Sequence, residues 1–273
     1  MIPNNIYEEL IPDDVKEKIK KGELLEVVKA VQLPLWPELT RIIPNHIARS
    51  SLFAPIKKGP RKIHDRELIA SRDDVVICYT GKQLDMADQD VFLQALELYR
   101  YTELAQRETT VNRADFLRSI SKDKIGDSQY KWLDEAMHRL KTGTVTITAK
   151  KYKVELSLID EWERDGEIDQ MQLSINPKIK TLFTNNEFGY INWPHRMAIE
   201  NRKDLSKWLQ SYFSAHQKGP QRHTYKTIKK LSGLKTRIND LIKDINEALN
   251  ELVRVQEISG LKMDKVGFDF IKK

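Results

Sequence analysis

The sequence changes its hydrophobic period twice, from the spacing of an amphipathic helix to the alternation of a β-hairpin. The first change follows DSQYKWLDEAMHRLKTG, residues 127–143, and the second follows LKTRINDLIKDINEALNELV, residues 234–253. A shorter helical segment precedes each of these long helices. A helix, a short helix, a turn, a long helix and a hairpin form the order of a winged-helix domain. The sequence therefore predicts an α+β fold with two tandem winged-helix domains.

Proline positions set the predicted domain boundaries. Five prolines between residues 31 and 62 argue against a regular element there. Residues 1–62 are therefore predicted to be a mobile N-terminal segment and linker. Residues 63–195 are predicted to form the first winged-helix domain, and residues 196–273 the second.

Local signals predict where the main elements begin and end. Asp85 and Thr224 are expected to cap helices, Asn112 or Arg113 is expected near the cap of another, and Gly233 is expected to end the short helix of the second domain. The hairpin of the first domain is predicted over TVTIT and KVELSLI. The polar stretch DEWERDGEIDQ that follows it is predicted to be a loop.

Charge is distributed unevenly along the chain. Residues 196–273 carry 17 Lys and Arg against nine Asp and Glu, whereas residues 1–195 carry 29 basic and 31 acidic side chains. This asymmetry suggests an anionic partner for the second domain, most often nucleic acid, and a basic surface that merely aids solubility is the alternative. The sequence has no signal peptide and no membrane-spanning run, and the lone Cys78 suggests the reducing cytoplasm.

The second domain holds the predicted DNA-binding residues, because the second helix of a helix-turn-helix places its N-terminal side chains in the major groove. Lysines of the short helix and of the hairpin loop are expected to contact phosphates. Solvated lysines on a small domain are the competing interpretation. The predicted set is Lys226, Thr227, Lys229, Lys230, Lys235, Thr236, Arg237, Asn239, Lys243, Lys262 and Lys265.

The first domain is nearly neutral and is a poor candidate for the main base-reading surface. It is predicted to serve dimerisation, with auxiliary phosphate contacts from Arg113, Arg118 and Lys122. An ordinary domain surface is the alternative.

The sequence gives little support for a catalytic function. The chain is predicted not to be an enzyme and to need no cofactor or metal. No two histidines have metal-ligand spacing, and no phosphate-binding loop occurs. The acidic pairs Asp73/Asp74 and Asp160/Glu161 could hold Mg²⁺ in a nuclease, but such doublets are usually turn or strand-edge residues. Tyr225 is more simply a packing residue at a helix start than a DNA-cleaving tyrosine.

A series of stretches resembles the TrfA-type plasmid replication initiators and covers about residues 31–255 in the right order. The stretches are QLPLWPEL, RIIPNHIARSSLFAPI, DRELIAS, YTGKQLDMADQDVF, WLDEAMHRLKTGTVTIT, LSINPKIKTLF, KWLQSYFSAH and TYKTIKKLSG. The resemblance implies two winged-helix domains that bind direct repeats (iterons) in double-stranded origin DNA. It also implies melting of neighbouring AT-rich DNA, recruitment of the host helicase machinery, copy-number control, and a homodimer in equilibrium with a DNA-binding monomer. A winged-helix transcriptional repressor acting at a promoter is the alternative.

Within that resemblance, residues 32–36 are similar to the peptide that binds the bacterial sliding clamp. Gln32 would make polar anchoring bonds, and Leu33, Leu35 and Trp36 would supply the apolar contacts. Flanking prolines stiffen an extended peptide and so reduce the entropy lost on docking. The alternative is that Trp36 packs on the first domain.

Overall fold

Each change of hydrophobic period corresponds to a long helix followed by strands. In the computed structural model, which describes residues 33–34, 36–56, 59–100, 109–120, 125–149, 152–165 and 169–273, Leu35–Lys273 form one compact unit. The helices are α1 (Asn45–Ala48), α2 (Met86–Tyr99), α3 (Arg113–Ser119), α4 (Asp127–Thr142), α5 (Trp193–Ala198), α6 (Asp204–Ser214), α7 (Tyr225–Ser232) and α8 (Ile238–Arg254), with a 3₁₀ helix over Pro177–Asn186.

Strands occur between these helices and assemble into several small sheets. They are β1 (Thr40–Pro44), β2 (Phe53–Ala54), β3 (Ile63–Ile69), β4 (Val75–Lys82), β5 (Leu84–Asp85), β6 (Thr109–Asn112), β7 (Thr144–Ala149), β8 (Tyr152–Leu156), β9 (Ile159–Arg164), β10 (Gln170–Ile175), β11 (Phe188–Asn192), β12 (Gly219–Thr224), β13 (Ile258–Met263) and β14 (Gly267–Lys272). All described pairings are antiparallel except β2 with β5.

The C-terminal part of the fold is a winged helix with the element order α6, β12, α7, α8, β13 and β14. Its strands form an antiparallel sheet in the order β12-β14-β13. Helix α8 buries Leu241, Ile245, Leu249 and Leu252, whose spacing of three and four residues places them on one face. That face packs on α6, where Trp208 is also buried. The predicted second winged helix is confirmed.

The first winged helix repeats this order with α2, β6, α3, α4, β9 and β10. Its sheet, β6-β10-β9, has the same strand order as the second one. The prediction that DEWERDGEIDQ is a loop was wrong, because its first half forms β9 and pairs with β10. The strand lacks an alternating apolar pattern in the sequence, because Asp160, Glu161 and Glu163 are exposed. Ile159 is its only fully buried apolar residue.

The predicted hairpin over TVTIT and KVELSLI exists as β7 and β8, but it belongs to a different sheet. These strands extend a four-stranded antiparallel sheet in the order β3-β4-β7-β8. Alternation places Ile77 and Tyr79 of β4 opposite Ile147 and Val145 of β7, and all four side chains are buried. The hairpin is therefore an insertion between α4 and the wing strands of the first winged helix.

Residues 36–56 are part of the folded core, which corrects their prediction as linker. Strand β1 pairs with β11 over its whole length, from Thr40 opposite Asn192 to Pro44 opposite Phe188. Ile42 and Ile43 are fully buried. The prolines do not prevent this, because Pro44 lies at the end of the strand, where it also starts α1.

A fully buried arginine joins the two winged helices. Arg196 on α5 has no exposed surface, and its Nε donates to Asp90 on α2 at 2.7 Å. It also donates to Gln89 on α2 and to the carbonyl of Lys207 on α6, at 2.8 and 2.6 Å. Lys207 Nζ reaches the second oxygen of Asp90 at 2.5 Å. This cluster ties the first helix of one winged helix to the first helix of the other.

The charges of this cluster compensate one another. Burial raises the pKa of Asp90, but Arg196 and Lys207 outweigh that effect and leave the pKa below its ordinary value. A carboxylate that stays ionised in a buried site needs both cations. The cluster therefore acts as one unit, whose members cannot be removed singly without leaving a charge uncompensated.

We expect Arg196→Met to destabilise the protein by about 3 kcal/mol, because the buried Asp90 loses one of its two cationic partners. Chemical denaturation followed by circular dichroism measures this change. Arg118→Met is the matched control, since Arg118 is exposed and its ion pair among the described residues is with Asp115 three residues earlier; its effect should be within about 0.5 kcal/mol. Equal effects of the two substitutions would contradict a structural role for the cluster.

Candidate nucleic-acid interface

The helix-turn-helix of the second winged helix is formed by α7, a turn and α8. The Thr224 hydroxyl caps α7 by accepting a hydrogen bond from the backbone N–H of Thr227 at 3.1 Å, as predicted. Gly233 ends α7 with φ of 69°. A Cβ at this position would lie 2.8 Å from the Cβ of Ser51, so the turn needs glycine for both its conformation and its close approach.

The long helix begins later than the sequence predicted. It starts at Ile238, so that Lys235, Thr236 and Arg237 lie in the turn before it rather than on its first turn. The left-handed Gly233 redirects the chain, and four further residues are needed before helical geometry resumes. These side chains still lie at the N-terminal end of α8, which is the end that enters a groove in a helix-turn-helix.

Most of the predicted DNA-binding side chains are exposed on the same winged helix. Asp240, Asp244 and Glu247 are exposed further along α8, whereas Glu251 on the same helix is buried. The predicted cations lie on α7, in the turn, in the first half of α8 and on the hairpin of β13 and β14. The exposed members of the predicted set are Lys226, Lys230, Lys235, Arg237, Asn239, Lys243, Lys262 and Lys265, and Thr227, Lys229 and Thr236 are half-buried.

Two members of the predicted set are already engaged within the protein. Lys230 Nζ pairs with Asp73, in the turn between β3 and β4, at 2.5 Å. The Thr227 hydroxyl lies 2.9 Å from that of Thr224 and belongs to the helix cap. Among the described residues, the other cations of the set form no ion pair with a carboxylate. They are therefore the more available groups for phosphate.

The wing between β13 and β14 is braced by side chains that the sequence did not single out. Asp264 accepts hydrogen bonds from the backbone N–H groups of Val266 and Gly267 at 2.7 and 2.8 Å. Arg222 donates to Asp264 at 2.7 Å and to Asp269 at 2.6 Å. The hydrogen bond from Arg222 lowers the pKa of Asp264 to about 2.

The two predicted lysines of the wing lie in different parts of the hairpin. Lys265 lies in the turn as predicted, but Lys262 lies on β13, opposite Asp269 of β14. Arg222 itself is opposite Asp269 on the other side, in β12. The ion pair between Arg222 and Asp269 follows from the antiparallel register of β12 with β14. This register is not visible in the sequence, so the ion pair could not be predicted from it.

Two histidines under the helix-turn-helix are neutral at pH 7. Burial lowers the pKa of His216 to about 3 and that of His223 to about 4. His223 lies 3.2 Å from the Tyr212 hydroxyl, and its ring stacks against Phe270. Both imidazoles are therefore neutral at pH 7, and the positive surface of this domain comes from lysine and arginine.

The first winged helix offers fewer free cations than predicted. Arg113 is buried; it pairs with Asp134 at 3.0 Å and Asp169 at 3.4 Å, and its guanidinium lies 4.5 Å from the centre of the Tyr130 ring. It cannot reach a phosphate without breaking these contacts, which corrects its prediction as a DNA contact. Arg118 is exposed, whereas Lys122 lies outside the described residues.

Trp36 is packed on the first winged helix. Its side chain is 5% exposed, and its Nε1 donates to Glu97 on α2 at 2.5 Å. The Arg100 guanidinium lies 5.1 Å from the centre of its ring. Gln32 and Leu35 lie outside the described residues, and Leu33 lies in the preceding unit, Met1–Pro34. The aromatic residue of the clamp-like peptide therefore occupies an intramolecular site.

The described residues hold neither a membrane-spanning helix nor a cluster of metal ligands. No helix among them combines the length and apolar character needed to cross a membrane. They also contain no group of three or more His, Cys, Asp or Glu side chains placed to hold a metal ion. Of the acidic doublet considered for a nuclease, Asp73 pairs with Lys230 and Asp74 pairs with Arg72.

Residues 11–264 match the model of the TrfA protein family. The plasmid replication initiator protein TrfA of Escherichia coli is 26% identical over 239 residues, which cover 82% of this chain and 61% of that relative. The chain thus spans less than two thirds of that relative's length.

Two solved structures share the fold. Domains 2 and 3 of RctB superimpose with a TM-score of 0.59 at 13% identity, covering 84% of this chain and 96% of that one. The Pi initiator protein in complex with iteron DNA gives a TM-score of 0.50 at 15% identity, covering 70% and 92%. These likenesses agree with the predicted α+β fold of two tandem winged-helix domains.

Proposed function

Because the chain belongs to the TrfA protein family, we propose that it is a plasmid replication initiator that binds directly repeated origin DNA. The similar Escherichia coli protein is named as a plasmid replication initiator, and a protein of the same fold, Pi, is found in complex with iteron DNA. Binding would promote opening of the origin and recruit host replication proteins in the cytoplasm. The protein would act by binding alone, without enzymatic chemistry or a cofactor.

The observation that carries this proposal is the cationic entry of the second helix-turn-helix. Lys235, Arg237 and Asn239 are exposed together just before and at the start of α8. Arginine and lysine recognise the O6 and N7 acceptors of guanine, and asparagine recognises adenine. A short polar segment at a helix entry is therefore suited to read base edges in the major groove.

The remaining cations support positioning on the DNA backbone. Lys226 and Lys229 lie on α7, Lys243 lies further along α8, and Lys262 and Lys265 lie on the wing. These groups would neutralise phosphates on either side of the groove that α8 enters. Binding should consequently weaken as salt concentration rises, since phosphate contacts release counterions.

The first winged helix would contribute dimerisation and auxiliary DNA contacts. With Arg113 buried, Arg118 is the described member of the predicted trio that is exposed, and an auxiliary contact would require it to leave Asp115. A homodimer in equilibrium with the monomer would keep part of the protein in a storage form. Conversion between these forms then sets the amount of DNA-binding protein.

We also propose that residues 32–36 dock on the host sliding clamp, after release of Trp36 from its site on α2. Docking of the indole would require loss of its hydrogen bond to Glu97 and of its contact with Arg100. Clamp binding and the packing of Trp36 would therefore exclude one another. This competition would make the peptide available only in part of the molecules.

A footprint on the DNA around the gene tests the proposed function. An initiator should protect several directly repeated sites beside an AT-rich stretch, spaced by about two helical turns. Protection of an inverted repeat at a promoter would instead support a transcriptional repressor. Strand nicking in the presence of Mg²⁺ would support a DNA-processing enzyme and contradict the proposal.

We expect Lys235→Ala or Arg237→Ala to weaken specific repeat binding by about 1–3 kcal/mol, if the side chain reads a base. Gel-shift titration measures the affinity. Lys218→Ala is the matched control, because Lys218 is exposed in the same domain. It directly precedes Gly219, the first residue of β12, whereas α7 follows the last residue of that strand. Unchanged affinity of Lys235→Ala and Arg237→Ala would place the reading surface elsewhere.

For the clamp, we expect Leu35→Ala to abolish capture by purified sliding clamp while duplex binding is unchanged. Trp36→Phe should strengthen capture, because phenylalanine keeps the aromatic contact but cannot donate to Glu97. Pull-down and gel shift of each variant measure the two activities. Full capture of Leu35→Ala, or reduced capture of a folded Trp36→Phe, would contradict the docking proposal.

A further inference from the structure

The wing of the second winged helix ends in an apolar tip. Val266, in the turn, is 62% exposed, and Met263, at the end of β13, is 44% exposed. The exposed part of each side chain faces solvent and not the core of the domain. We propose that Val266 is a wedge that enters the minor groove of the bound duplex and distorts it at one base step. This inference rests on the proposed DNA-binding function and adds a deformation of the DNA to it.

The charges around the tip suit this occupant. Lys265 directly precedes Val266, and Lys262 precedes Met263, and both lysines are exposed. Asp264, in the same turn, is half exposed, but its carboxylate accepts from two backbone N–H groups and is paired with Arg222. An apolar side chain flanked by cations matches a groove whose walls are phosphates and whose floor is base edges.

The tip is fixed relative to the helix-turn-helix. The backbone N–H of Tyr225, the first residue of α7, donates to the carbonyl of Val266 at 3.1 Å. The Tyr225 hydroxyl donates to Asn246 of α8 at 2.9 Å. One residue therefore links the wing turn to both helices of the motif, so that entry of α8 into a major groove also sets the position of Val266.

Rigidity is what allows a small side chain to act as a wedge. A mobile loop would yield when it met stacked bases, whereas the Asp264 bridge and the Tyr225 contact hold this turn in place. Apolar wedges in the minor groove partially unstack a base step and bend the duplex. The cost of that distortion depends on the base step, so the wing would favour flexible steps without hydrogen bonding to them.

A matched pair of substitutions tests the wedge. Val266→Thr keeps the shape of the side chain but makes it polar. Ile271→Thr makes the same kind of change at a 47% exposed apolar residue of the same sheet, on β14 opposite Pro220 and away from the turn. The probe is a duplex selected by the parental protein from a random-sequence library and labelled at both ends, so that energy transfer reports the bend and titration reports affinity.

We expect Val266→Thr to bind roughly tenfold more weakly, because a hydroxyl replaces one methyl group buried against the bases, and to bend the duplex less. Ile271→Thr should match the parental protein in both measurements. Thermal unfolding of each variant should be unchanged, because both side chains are exposed.

The outcomes separate this inference from the proposed function. If the parental protein enriches no sequence from the library, the DNA-binding function fails and the wedge fails with it. If the parental protein binds and Val266→Thr binds and bends equally well, only the wedge is overturned, and the apolar tip serves a protein partner instead. A weaker affinity with an unchanged bend also overturns it, since the side chain would then contact the groove without distorting it.

Discussion

The buried guanidinium of Arg196 is the contact on which the arrangement of the two winged helices depends. A charge without access to water is tolerated only where carboxylate, amide and carbonyl oxygens surround it in fixed positions. Asp90 and Gln89 supply these groups from α2, and the Lys207 carbonyl supplies one from α6. The angle between the first helices of the two winged helices is therefore set by hydrogen-bond geometry and not by apolar packing alone.

This constraint reaches the proposed DNA-binding surface. The helix-turn-helix of the second domain rests on α6, since α8 packs against that helix. A fixed α6 thus holds α8 and the wing in a defined orientation to the first winged helix. The exposed ion pair between Lys230 and Asp73 joins the same two parts at the surface, where ion pairs contribute little. The buried cluster, not the surface pair, carries the rigidity.

Much of the helical framework could be predicted from the sequence. Period and capping identify α2, α4, α6, α7 and α8 because each signal is local, and the caps at Asp85 and Thr224 are found as predicted. The errors concern segments whose partner is distant. Strand β9 is polar on its outer face, and β1 lies among prolines, so neither has a local signature strong enough to identify it.

The residue types of the candidate interface were predictable from the sequence, but the start of its helix and the ion pairs of its side chains were not. Lysines on α7 and near α8 were identified from charge and helical phase, yet the start of α8 depended on the conformation of Gly233. Availability was not predictable either: Lys230 meets Asp73, and Arg113 is enclosed by Asp134 and Asp169. The bracing of the wing by Arg222 depends on a strand register, which no single segment specifies.

The pairing of β1 with β11 has a consequence for how the chain folds. The two strands are about 150 residues apart in sequence, and β1 contacts α2 whereas β11 contacts α6. During synthesis β1 emerges before β11, so the pairing that covers Ile42 and Ile43 can form only after the intervening residues have been made. Long-range pairing of this kind slows folding, since a large loop must close before the contact stabilises it. The two winged helices are therefore joined by a strand pair that neither can complete without the other part of the chain.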